Sequence, residues 1–108
     1  MTKERYNELG GIILDSCISV HKELGAGLLE SVYVFALLKE FDTGKYYEMD
    51  LLIEGEIIIE VKSAEIMNPV FMAQIISYLK LSGKKLGYLV NFNVVKMIDG
   101  FKRVVNNF

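Results

Sequence analysis

The chain is short of the residues that build cross-links, metal knots and linkers. Cys17 is its one cysteine, so neither a disulfide framework nor a cysteine-rich zinc site can be drawn, and the thiol reads as a small buried hydrophobe. Proline occurs once, at Pro69, and glycine is ordinary, which excludes proline-rich linkers and disordered tails. No apolar run approaches the ~20 residues needed to cross a bilayer. Residues 1–8 are polar rather than a signal-peptide core, so a cytoplasmic location without membrane contact is expected. The net charge of -2 counts against extensive unassisted binding to nucleic acid. Lys80, Lys84, Lys85, Lys96, Lys102 and Arg103 nevertheless gather in the second half, which leaves one basic face open.

What is present is the material of a single domain over 1–108, about half apolar and large enough for one core. Leu9, Ile12, Ile13, Cys17, Val20 and Leu24 recur at helical spacing and predict a helix over 2–24, with Thr2 as N-cap and Gly25-Ala26-Gly27 ending it. A second helix over 28–40 has Leu29, Val32, Ala36 and Leu37 as its inward stripe, with Glu30 and Tyr33 off centre. After a turn at 42–45, β-branched and aromatic residues predict strands over 46–53 and 56–62. Asn68 and Pro69 open a third helix, to about residue 81. A buried strand over 86–92 and a last strand over 101–105 follow, the latter entered through an Asp99-Gly100 turn. Met67, Met72 and Met97 read as core filler, and His21, near the end of the first helix, as structural. The order predicts a mixed α/β domain with helices packed on one central sheet.

Residues two apart on a strand share a face, so Glu60 and Lys62 project together while Ile57, Ile59 and Val61 take the other side. Asp50 joins Glu60 if the hairpin loop is odd in length; a three-residue loop ending at Gly55 sets Asp50 opposite Ile58, one same-face step from Glu60. Two carboxylates, with the Val61 carbonyl as a further oxygen, suit Mg²⁺ or Mn²⁺, and the lack of nearby His or Cys argues against zinc or copper. Such an ion acidifies water and neutralises phosphate charge, and the ammonium of Lys62 fits the role of orienting that water or stabilising the transition state. The ordinary reading of an isolated E-x-K is a solvated strand face with an ion pair. Against it stands the apolar run 57–61, because acids at the end of a central strand are costly unless used.

Gly27-Leu28-Leu29-Glu30-Ser31-Val32-Tyr33 reads G-x-x-E-x-x-Y and, with Val20-His21-Lys22-Glu23-Leu24-Gly25 before it, resembles the bacterial GxxExxY proteins. Met49-Asp50-Leu51-Leu52, Ile59-Glu60-Val61-Lys62, Ala73-Gln74 through Tyr78-Leu79-Lys80-Leu81, and Val90-Asn91-Phe92-Asn93 look like successive blocks of that family. The family is placed in the PD-(D/E)XK nuclease superfamily. The resemblance therefore implies a restriction-endonuclease-like αβββαβ core with a mixed central sheet and a Mg²⁺-dependent (or Mn²⁺-dependent) nuclease site. It also implies metal ligation by Asp50 and Glu60, catalysis by Lys62 and an acidic helix position at Glu30, which on its own reads as a helix-start acid favoured by the dipole. Gln74 and Tyr78 resemble the Q-x-x-x-Y element, which places both on one helix face toward substrate or the lysine; the alternative is a polar strip on a half-exposed helix. One departure is that only residues 41–49 lie between the helix and Asp50, so the first strand of the meander is shortened or missing.

Two functions follow from these readings. The first is a nuclease acting on DNA or RNA. The second is a catalytically inactive nuclease-fold module that binds nucleic acid or a protein partner. A homodimer is a third expectation, because a small domain with a shortened sheet has an edge and apolar surface to cover.

Overall fold

The computed structural model describes residues 1–41 and 51–108. The readings that fall on 42–50, namely the turn, most of the first strand, the shortened meander and Asp50, lie outside the described residues.

Thr2 caps the first helix, α1 (Lys3–Leu24), its hydroxyl accepting from the Arg5 amide at 3.0 Å. Gly25, at φ 75°, ends it in a backbone conformation that a side chain would resist, and its N–H returns to the His21 carbonyl. Tyr6, Leu9, Ile13, Cys17 and Val20 form the buried stripe of α1, whereas Ile12 is half exposed. The second helix, α2 (Glu30–Phe41), is turned relative to the expected stripe: Tyr33, Val34 and Leu37 are buried, while Leu29 and Val32 are exposed. The Tyr33 ring, stacked on Phe92 at 4.3 Å, takes the inward place that aliphatic periodicity assigns to Val32.

Strands β1 (Leu51–Ile53) and β2 (Ile57–Lys62) form an antiparallel hairpin with Leu51 opposite Ile59. The loop is odd, as expected, but comprises Glu54, Gly55 and Glu56, which sets the register two residues from the expected one and keeps every side chain on its face. Glu54 and Gly55 both hold positive φ, and the Glu56 N–H donates to the Ile53 carbonyl at 3.0 Å. Helix α3 (Pro69–Ser82) is capped by Asn68, whose side chain accepts from the Val70 amide. Strand β3 (Leu86–Asn91) pairs parallel with β2, and β4 (Phe101–Val105) pairs antiparallel with β3. Asp99 and Gly100 do not make a hairpin turn; they complete a one-turn helix, α4 (Met97–Gly100), seated against Asn91.

The result is a four-stranded mixed sheet of order β1-β2-β3-β4 flanked by helices. Helices α1 and α2 cover the face that carries Ile57, Ile59, Val61, Tyr88 and Val90. Helix α3 covers the other face through Ile75 and Leu79, which pack on Ile58, Leu89 and Val104. Met97 is buried as core filler, but Met67 is exposed. The basic residues do not share one face: Arg103 lies over Phe108 and reaches Asn7, whereas Lys80 and Lys85 line a cleft at the entry to β3. No helix among the described residues is long and apolar enough to cross a membrane.

Candidate active site

Strand β2 is buried along nearly its whole length, and its alternation decides what Glu60 meets. Ile57, Ile59 and Val61 point into the larger core, so Ile58, Glu60 and Lys62 turn toward the α3 side. Glu60 is 4 % exposed. One of its oxygens, Oε1, sits 3.4 Å from the Lys62 ammonium, while Oε2 is buried with no hydrogen-bond partner among the described residues. Burial pushes the Glu60 carboxyl above its ordinary range, Lys62 opposes that shift, and the negative charge of Glu30 adds to it. Loss of water is the largest of these influences, so the pair is not an ordinary surface ion pair. The Lys62 side chain is itself largely covered, and its ammonium lies 4.5 Å from the centre of the Phe71 ring.

The chain leaving the sheet beside this pair is held at several points. The Lys62 carbonyl accepts from the Phe92 amide at 2.9 Å. Asn91, 3 % exposed, accepts from the Ala64 and Asn93 amides and donates to the Ala64 carbonyl. Ser63 donates to the Leu28 carbonyl in the lead-in to α2. That lead-in is tied down by Tyr33, whose hydroxyl donates to the Gly25 carbonyl at 2.6 Å and accepts from the Leu28 amide at 3.1 Å. Glu30 therefore begins α2 in a fixed place. It lines a cleft of about 590 Å³ with Ser31, Ser63, Glu65 and Asn93 at the exit of β2 and β3.

Of the residues singled out from the sequence, Glu30, Glu60 and Lys62 are brought to one end of the sheet. Val61 separates the latter two, with its side chain in the core. Gln74 is exposed on α3, and Tyr78 is half-buried in the apolar cluster beneath that helix. Asp50 lies outside the described residues, and among the described ones no group of three or more His, Cys, Asp or Glu could hold a metal ion. Sequence reasoning missed three contributors: Phe71, Asn91 and the anchoring role of Tyr33. Phe71 stands one helical turn before Gln74, so an aromatic at that spacing was the available signal. Asn91 had only the signal of an amide inside an apolar strand.

A mixed sheet flanked by helices, with an acid and a lysine two apart at the end of a central strand, is consistent with a restriction-endonuclease-like fold. The model of the PD-(D/E)XK nuclease superfamily matches residues 7–45 and 38–104, which covers nearly all of the chain, and the chain belongs to that superfamily. No curated protein and no solved structure matches it.

Proposed function

We propose that the chain is a divalent-cation-dependent nuclease hydrolysing phosphodiester bonds of DNA, and that within its superfamily it is of the GxxExxY type. The observation that carries this reading is Glu60 Oε2, a buried carboxylate oxygen without a hydrogen-bond partner among the described residues. Leaving such a group unsatisfied costs about 1–3 kcal/mol or more, a cost that a cation would offset. The donor set is hard oxygen, which fits Mg²⁺ or Mn²⁺. Asp50 and Glu60 would hold the ion, with the Val61 carbonyl and Glu30 as further oxygens. When bound, a divalent cation acidifies water and neutralises charge on the phosphate.

The remaining work falls to the chain's own groups. Lys62, confined between Glu60 and the Phe71 ring, presents N–H donors to the attacking water or to the charge developing on a phosphate oxygen. Gln74 and Tyr78 would contact the substrate strand from α3.

The test is calorimetric titration with Mn²⁺ beside cleavage assays on plasmid, single-stranded DNA and RNA. The parent should bind Mn²⁺; Asp50→Ala and Glu60→Gln should lose binding. Lys62→Ala should keep binding yet cut at least ~100-fold more slowly. Binding without turnover on any of these substrates would move the assignment to the inactive, nucleic-acid-binding or protein-binding module. No binding, with or without DNA, would sink the metal site.

A further inference from the structure

Helix α2 is apolar on two sides. Tyr33, Val34 and Leu37 face the core, whereas Val32 is 40 % exposed and Phe35 67 %, with Leu29 in the lead-in 75 % exposed. At 100° per residue, Glu30 stands about 160° around the helix from Val32 and about 140° from Phe35, so these two look away from the candidate site, whereas Leu29 lines the same cleft as Glu30. A helix apolar all round is ordinarily buried all round, yet none of the described residues covers this side. Beside Phe35 runs a groove of about 430 Å³ between α1 and α2, with Val20, Leu24, Val32 and Ala36 as its apolar part. Its rim carries both signs of charge, Glu23 and Glu40 against Lys39, and none of the three forms an ion pair with another described residue.

From these features we infer that the outer face of α2 is a homodimer interface, occupied by the same face of a second copy. A two-fold contact requires a patch complementary to itself. This patch supplies the knob, Phe35, and the hole, the groove at its side, on one surface. It also supplies Lys39 for Glu23 or Glu40 of the second copy, while a partner of uniform charge would meet like charge at one rim or the other. Buried at the centre of such a contact, Phe35 is the anchor. Because Glu30 lies on the opposite side of α2, pairing leaves the cleft beside Glu60 open, and the dimer stands or falls independently of metal binding or cleavage.

The test is sedimentation velocity of the full chain over a concentration series reaching several hundred micromolar, about the weakest range in which self-association is readily measured. The parent should show a concentration-dependent dimer. Phe35→Glu should weaken it at least ~30-fold, with an unchanged far-UV circular dichroism spectrum because the side chain is exposed. Lys39→Glu should weaken it less, and adding Glu23→Lys and Glu40→Lys to that variant should restore it. A parent that stays monomeric throughout, or a Phe35→Glu variant that dimerises as well as the parent, overturns the proposal.

Discussion

Strands β2 and β3 lie side by side in parallel, and each buries one polar side chain near its end with opposite bookkeeping. Every polar atom of the Asn91 amide is matched: its oxygen takes two backbone N–H groups and its nitrogen gives to a carbonyl. Glu60 is as deeply buried, yet among the described residues one oxygen has no hydrogen-bond partner and the other has a lysine at 3.4 Å. The two residues share a sheet, a face of departure and a burial class, so the difference is not one of location. Asn91 serves the fold, whereas Glu60 carries a cost that no described residue recovers, and such a cost persists where a ligand recovers it.

On that contrast, Asn91→Ala produces the largest loss of stability, roughly 2–3 kcal/mol in urea unfolding, because three part-buried backbone groups lose their partners. A change below about 1 kcal/mol would remove the distinction between the two residues. Next comes Tyr33→Phe, which keeps the stack on Phe92 but frees the Gly25 carbonyl and the Leu28 amide; a loss of roughly 1–2 kcal/mol is expected. Glu60→Gln should go the other way, raising the apoprotein's stability at neutral pH by about 1 kcal/mol while abolishing Mn²⁺ binding. Gln74→Ala, at an exposed position, should change stability by less than about 0.5 kcal/mol.

The Glu60 comparison also has a pH signature. Its carboxyl is raised in the folded state by burial first, so between the ordinary value of 4.5 and the raised one the native state holds more protons than the unfolded state. Stability then falls as pH rises through that window. Thermal unfolding of the parent and Glu60→Gln should therefore converge in mild acid and separate toward neutral pH. A difference that stays constant across this range would show that ionisation of Glu60 is not the source of the cost.

How much of this was legible beforehand follows from what each signal depends on. Caps and breakers act within a few residues, so Thr2, Gly25, Asn68 and Pro69 marked helix ends correctly. The E-x-K spacing placed Glu60 and Lys62 on one face because strand alternation is local too. The inner face of α2 was misread because aliphatic periodicity ranks Leu29 and Val32 above Tyr33, and only the distant Phe92 shows which side is in. Asp99-Gly100 looked like a hairpin turn, but the missing Cβ of Gly100 is used for close approach to Asn91, a contact no local pattern announces. The same holds for Phe71, whose place over Lys62 comes from the docking of α3 on the sheet.

The parallel alignment of β2 and β3 has a practical side. It sends both strand exits, with Lys62 and Asn91, to one end of the molecule, and both strand entries, beside Gly55 and Gly83, to the other. A fluorophore, affinity handle or surface tether placed at the exposed turn around Gly83 would be separated from the end that carries Glu60 and Lys62 by the strands themselves. The protein could then be immobilised or tracked with its cleft facing outward.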